Sequence, residues 1–222
     1  MDRLKNVSQI VLMIAIPILI LTLSQNIIYR LPDAYLYYFN DSQCLDEIYV
    51  SMSNSEMADA LTDLLNTFRP DPDQFNIYVD TGYDQLGILD SRDTYNLLMM
   101  KNALDLSALL CGAALILTAA GFFFLLRNDE KKKLRISFQI GAFLSGVLLA
   151  VQAVCLPAET LRGRIFTMIG IRPFHEDSIL QIMMGDGFWT MMTIFLTLAG
   201  ILILGIGAYL QYRLTRPPRI FY

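Results

Sequence analysis

One histidine stands out among the side chains that could do chemistry. His175 is the only histidine in 222 residues. Imidazole has a pKa near neutrality, which suits it to move protons as a general base or acid. Glu176 and Asp177 follow directly and could orient the ring. The alternative is a lone interfacial histidine without a catalytic task, and the sequence leaves both interpretations open.

Two arginines precede this histidine in the same segment. Arg164 and Arg172 could each bind an anionic head group or an oxyanion, because a guanidinium donates paired hydrogen bonds to such groups. The sequence has no metal-ligand spacing, phosphate-binding glycine loop or dinucleotide-binding turn. We therefore expect no cofactor, no metal and no nucleotide.

These residues lie in an unusually apolar chain, with 55% hydrophobic and 17% charged residues. Uncharged runs of membrane-spanning length separate Lys5 from Arg30, Asp105 from Arg127, Arg135 from Glu159 and Asp186 from Arg213. Backbone amides in lipid must be bonded within their own segment, so each run is expected to be a helix. A soluble helix bundle is the alternative, but residues 106–126 lack the polar stripe of a soluble helix.

Basic residues predict the orientation of these spans. They concentrate at the N-terminus, in the segment between spans two and three, and in the tail, which lie on one side if the spans are four. We therefore expect a multi-pass protein of the cell membrane with both ends cytoplasmic. The segment from Arg30 to Lys101 is acidic and is expected outside, which argues against nucleic-acid binding.

The expected fold class is an all-α membrane protein with a mainly helical extracytoplasmic domain between spans one and two. The segments are 1–29 (N-terminus and span one), 30–102 (outer domain), 103–126 (span two), 127–135 (basic loop), 136–158 (span three), 159–186 (second outer loop), 187–212 (span four) and 213–222 (tail).

Local patterns suggest further elements in the outer domain. Residues 53–68 form an amphipathic helical pattern, and residues 75–79 are a strand candidate of a small β-hairpin, with Gly82 and Gly87 as turn signals. A helical pattern resumes at Ser91 or Asp93 and continues into span two. A disulfide between Cys44 and Cys155 is conceivable.

Three stretches resemble the bacterial lipoprotein intramolecular transacylases: residues 53–61, residues 89–101, and residues 166–189. The resemblance covers nearly the whole chain. It implies a four-span protein that transfers an acyl chain from the diacylglyceryl group of a lipoprotein to the N-terminal amine of that lipoprotein. Membrane lipid and diacylated lipoprotein are the implied partners.

The chain departs from the family pattern at two positions. Where the family has a histidine three residues after an acidic residue, Asp93 is followed by Asn96, and where it has a histidine after a phenylalanine, Thr167 follows Phe166. Neither side chain titrates near neutrality, although Asn96 could donate a hydrogen bond to an oxyanion. The resemblance therefore marks Asp93, Asn96 and Thr167 as catalytic candidates together with His175.

Two functions are consistent with this sequence. The first is a divergent acyltransferase at the outer leaflet, with His175 as base and Arg164 or Arg172 binding substrate. The second is a relative without catalysis that binds lipid or lipoprotein after losing the histidines. A transporter or channel is disfavoured because the spans carry no ionisable residue in mid-membrane.

Overall fold

The computed structural model describes residues 2–31, 33–35, 37–38, 78–80, 85–87, 89–174 and 178–215. Its elements are α1 (Asp2–Ile28), β1 (Tyr78–Asp80), β2 (Gln85–Gly87), α2 (Ser91–Arg127), α3 (Lys131–Cys155), α4 (Glu159–Met168), α5 (Ile179–Met183) and α6 (Asp186–Thr215). The predicted helix at 53–68, Cys44 with its suggested disulfide, and His175 lie outside the described residues.

Four helices of the described chain, namely α1, α2, α3 and α6, are long and apolar enough to cross a membrane. The predicted all-α membrane fold class is therefore confirmed, and the protein is a multi-pass membrane protein. Which side each segment faces stays a prediction, since the helices alone carry no sidedness.

Helix α2 is longer than a bilayer requires. Its 37 residues extend roughly 55 Å at 1.5 Å per residue, whereas the hydrocarbon core is about 30 Å thick. The charged residues of its first half end at Asp105, and the uncharged part follows. The excess length leaves room for the first turns of α2, which include Asp93, outside the hydrocarbon core, and the expected start of span two at residue 103 stays a prediction. Asp90 caps the helix start, because its Oδ1 accepts a 2.6 Å hydrogen bond from the Asp93 backbone N–H.

The predicted small hairpin is present. Strands β1 and β2 pair antiparallel, with Tyr78 opposite Gly87 and Asp80 opposite Gln85. The described strand β1 overlaps the predicted strand at residues 78 and 79, and residues 75–77 lie outside the described residues. Gly87, which was expected at a turn, is instead the last residue of β2.

Helix α3 begins at Lys131, so Lys131–Lys133 and Arg135 lie in its first turns rather than in a loop over 127–135. Residues 128–130 alone connect α2 to α3. Asp129 adopts φ 54°, a left-handed conformation that aspartate tolerates better than most residues. The Glu130 N–H donates to the Leu125 carbonyl at 2.9 Å, which closes the turn.

The chain divides into two compact units. The first comprises Met1–Asn26, Ser107–Gln152 and Leu196–Tyr222, and the second comprises Ile27–Leu106 and Ala153–Phe195. The core of the first unit is a cluster of buried apolar side chains from α1, α2 and α3: Leu12, Ile16, Ile20, Leu125, Leu134, Phe138 and Leu149.

Glycines permit close helix packing in this first unit. A Cβ at Gly141 would lie 3.0 Å from the Ile16 Cβ, and one at Gly200 would lie 2.7 Å from Leu149 Cδ2. At Gly112, Gly146 and Gly205 nothing lies within 4 Å. The glycines of the membrane helices therefore divide into those at helix contacts and those in open space.

Polar contacts also join the helices of the first unit. Asn26 Nδ2 donates to Ser107 Oγ at 3.1 Å, and Ser107 Oγ donates to Gln25 Oε1 at 3.2 Å. Near the N-terminus, Lys5 Nζ donates to Glu130 Oε1 at 2.8 Å. This bond lowers the pKa of the Glu130 carboxyl group.

Candidate site in the second unit

Two polar side chains lie one turn apart near the start of α2 and face the interior of the second unit. Asp93 is 2% exposed and Asn96 is fully buried. Residues three apart on a helix share a face, so both can contact the same neighbouring segment. A buried polar group is costly unless it is hydrogen-bonded, and each of the two has partners in the segment ahead of α6.

Asp93 binds the start of α5. Its Oδ1 accepts a 2.7 Å hydrogen bond from Ser178 Oγ, and Ser178 in turn caps α5 by accepting from the Gln181 N–H at 3.3 Å. Burial raises the pKa of the Asp93 carboxyl group, whereas the Ser178 hydrogen bond opposes that rise. Asp93 therefore anchors the N-cap of α5 through its carboxyl group.

Asn96 binds the backbone of Arg172 through both the nitrogen and the oxygen of its side-chain amide. Asn96 Nδ2 donates to the Arg172 carbonyl at 3.0 Å, and the Arg172 N–H donates to Asn96 Oδ1 at 2.9 Å. This pair of hydrogen bonds resembles the pair that two opposed residues form between neighbouring β-strands. Asp93 and Asn96 thus fix the two ends of the chain segment from Arg172 to Ser178, and we call this arrangement the α2 clamp.

A glycine turn directs the chain from α4 to the clamp. Gly170 has φ 87°, the Ile171 N–H donates to the Phe166 carbonyl at 2.9 Å, and the Gly170 N–H donates to the Thr167 carbonyl at 3.2 Å. These two bonds form a Schellman motif, in which glycine avoids the penalty that a Cβ meets at positive φ.

A cleft of about 540 Å³ lies beside this turn. It is lined by both polar and apolar side chains: Glu159, Thr160, Arg162, Gly163, Phe166, Thr167, Ile171, Arg172, Pro173, Phe174, Gln181 and Trp189. The Phe166 ring packs edge-on against Trp189, with a centroid separation of 5.0 Å. Such a mixture of aromatic and charged groups suits an amphiphilic ligand.

Arg162 closes one side of this cleft. Its side chain is buried and donates to the Asp186 carboxylate at 2.7 Å and to the Leu156 carbonyl at 3.1 Å. Its guanidinium also lies over the Trp189 ring, 5.6 Å from the centroid. Asp186 neutralises the arginine, so Arg162 holds the beginning of α6 against the segment before α4.

The residues predicted from sequence fall into different places. Thr167 lines the cleft, and its hydroxyl donates to the Gly163 carbonyl at 2.8 Å. Arg172 lines the cleft as well, with its guanidinium 4.2 Å from the Tyr95 ring centroid. Arg164 is exposed and does not line it. His175 lies outside the described residues, and its catalytic role stays a prediction.

Sequence reasoning did not assign Arg162 or Ser178 to the site. Arg162 and Arg164 are two residues apart on one helix and point about 200° apart, so only one can face inward, and composition does not say which. Ser178 had a readable signal, because a serine before an apolar run is a typical N-cap.

The described helices and this site define a polytopic membrane protein whose second unit contains an amphiphilic cleft. No protein-family model and no curated protein matches the chain. Its fold is shared with solved structures of Lit, the membrane integral lipoprotein intramolecular transacylase from Bacillus cereus. The predicted resemblance to this family is confirmed at the level of the fold.

The likeness to Lit covers almost the entire chain. One Lit structure, a variant with a histidine replaced by alanine, is 16% identical with a TM-score of 0.71, over 97% of this chain and 93% of Lit. A second is also 16% identical with a TM-score of 0.69, over 96% of this chain and 98% of Lit.

Proposed function

We propose that the protein is an acyltransferase of the lipoprotein intramolecular transacylase kind. It would move an acyl chain from the diacylglyceryl group of a lipoprotein to the N-terminal amine of that lipoprotein. The observation that carries this proposal is the Lit fold over 97% of the chain. The amphiphilic cleft supports it, because the substrate has apolar acyl chains beside polar ester and amine groups.

The reaction makes definite demands on the site. The N-terminal ammonium loses a proton to a base, and the free amine attacks the ester carbonyl. The tetrahedral oxyanion then collapses and the carbon–oxygen bond breaks. The glyceryl alkoxide takes up the proton from the same base, and the second proton on the attacking nitrogen leaves to water, which gives the neutral amide. We assign the base to His175, which follows the cleft residue Phe174 directly in the chain.

We assign other roles to the polar residues of α2 and the cleft. Asp93 and Asn96 are positioning residues, since their hydrogen bonds fix Ser178 and Arg172 on either side of His175 in the chain. Arg172 and Thr167 line the cleft, where the arginine can donate hydrogen bonds to an oxyanion. Arg164 has no place in this scheme because it lies outside the cleft lining.

Mass spectrometry of lipoprotein N-termini tests this function. The protein is expressed in a host that makes only diacylated lipoproteins, and we expect the lyso form with an N-acyl group to appear. The His175→Ala variant should abolish this product, whereas Asn102→Ala, an exposed change on α2, should not. No lyso product from correctly inserted protein would instead indicate a relative that binds lipid or lipoprotein without turnover.

A further inference from the structure

The cleft of the second unit is lined by acidic and basic side chains, and two of them have no ion-pair partner among the described residues. Three ionised side chains line it: Glu159, Arg162 and Arg172. Arg162 is neutralised by the ion pair with Asp186 at 2.7 Å. Among the described residues, Glu159 and Arg172 therefore remain as one acidic and one basic side chain available to a ligand.

The Arg172 side chain is positioned to bind an anion. Asn96 fixes its backbone, and the ring of the neighbouring Tyr95 lies 4.2 Å from its guanidinium. The described part of the chain supplies no carboxylate partner to this guanidinium. A guanidinium fixed in advance loses little conformational freedom when it binds, and it matches the oxygens of a phosphate.

Glu159 supplies the opposite charge. It is exposed in the first turn of α4, and within the described ranges its carboxylate makes no hydrogen bond or ion pair. A cleft of about 540 Å³ is roughly 10 Å across if it is taken as a sphere. A small dipolar head group therefore fits within it.

The remaining lining suits the apolar part of an amphiphile. Phe166 packs against Trp189 at 5.0 Å and against Phe174 at 6.4 Å, so three aromatic rings form one continuous apolar side. Trp189 belongs to the first turns of α6, a helix that can cross a membrane. Aromatic rings are frequent where chains of lipid meet head groups.

From this arrangement we propose that the cleft binds the head group of a zwitterionic phospholipid, with the phosphate on Arg172 and the ammonium on Glu159. The ligand differs from the substrate of the proposed acyl transfer, which has an ammonium but no phosphate. The inference therefore goes beyond that function and does not depend on it.

The single tryptophan makes the test direct, because Trp189 lines the cleft. Phosphatidylethanolamine or phosphatidylglycerol with brominated acyl chains is titrated into the full-length protein in a neutral detergent, and quenching of Trp189 fluorescence is followed. We expect half-quenching at an about ten-fold lower concentration of phosphatidylethanolamine, the gain expected from one additional charge-assisted hydrogen bond.

Substitutions test the contributions of Glu159 and Arg172 to lipid binding separately. Glu159→Gln should abolish the preference between the two lipids, whereas Arg172→Gln should weaken both by about ten-fold. Arg92→Gln is the matched control, since Arg92 is exposed in the same unit and does not line the cleft. Helicity by circular dichroism and a monodisperse gel-filtration peak confirm folding of each variant, and Glu159→Gln changes only an exposed side chain.

Two results would overturn the proposal. The first is equal quenching by both lipids in the wild-type protein, and the second is an Arg172→Gln variant that behaves as Arg92→Gln does. A diacylglyceryl peptide without phosphate serves as a further arm. If it displaces phosphatidylethanolamine at the same concentration from the wild type and from Arg172→Gln, Arg172 does not hold the phosphate and the proposal is likewise overturned. Lyso-lipoprotein formation is read separately, so either proposal can fail without the other.

Discussion

The side-chain amide of Asn96 forms two hydrogen bonds, of 3.0 Å and 2.9 Å, with the backbone of Arg172, which lies 76 residues away in the sequence. Asn96 occupies the position at which the family resemblance leads one to expect a histidine. In this chain the side chain fixes the conformation of a neighbouring segment. The adjacent turn of the same helix does the same through Asp93 and Ser178, so a short stretch of α2 organises the segment before α6.

Replacement of Asn96 by alanine should lower the free energy of unfolding by about 1–3 kcal/mol, because two hydrogen bonds are lost around a buried position. The measurement is thermal or denaturant unfolding of the protein in detergent. Asn102→Ala is the control, since Asn102 is exposed on the same helix and should change stability by less than about 0.5 kcal/mol. Equal effects of the two variants would refute the α2 clamp.

Substitutions of Asp93 distinguish a positioning role from a catalytic one. Asn at this position keeps an oxygen that can accept the Ser178 hydrogen bond, whereas Ala does not. We therefore expect Asp93→Asn to retain lyso-lipoprotein formation and Asp93→Ala to lose it together with about 1–3 kcal/mol of stability. Loss of product in both variants, with folding intact, would show that the carboxyl group itself takes part in catalysis.

The pH dependence of stability provides an independent check on Asp93. Burial raises the pKa of its carboxyl group above the usual 3.8. The native state therefore binds the proton more tightly than the unfolded state does. This contribution to stability is present below pH 3.8 and is lost as the pH rises through the raised pKa. Unfolding measured from pH 3.5 upward should show this downward slope in the wild type, with the slope reduced in Asp93→Asn.

Replacement by alanine should change the free energy of unfolding in opposite directions at two glycines of the second unit. Gly170→Ala should destabilise by about 1 kcal/mol, because φ 87° places a Cβ against the backbone. Gly163→Ala, inside α4 with open space around the Cβ position, should stabilise by up to about 1 kcal/mol. Unfolding midpoints of both variants test this, and stabilisation by Gly170→Ala would contradict the assigned turn.

Two glycines of α3 should likewise differ when replaced by leucine. Gly141→Leu should cost about 1–3 kcal/mol, because a Cβ there already approaches the Ile16 Cβ to 3.0 Å. At Gly146 nothing lies within 4 Å, so Gly146→Leu should be nearly neutral. Thermal stability of the detergent-solubilised variants provides the comparison. A similar loss at both positions would indicate that helix contacts in the first unit differ from those described.

The sequence determined the membrane-spanning architecture by itself. Long uncharged stretches must be helical in lipid because no water satisfies their backbone groups, and this physical demand is local to each stretch. The continuous run from Ser91 into span two followed from its helical pattern. The hairpin followed from a strand-like run with glycine turn signals, although one of these, Gly87, lies within β2.

The tertiary structure alone decided how the polar residues are used. Sequence predicted Asn96 and Arg172 as separate candidates, while the fold joins the side chain of one to the backbone of the other. It also selected Arg162 rather than Arg164 for burial, since the rotation of α4 against its neighbours decides which side chain points inward. Such pairings link segments 76 and 85 residues apart, so they depend on how distant segments pack and not on any local pattern.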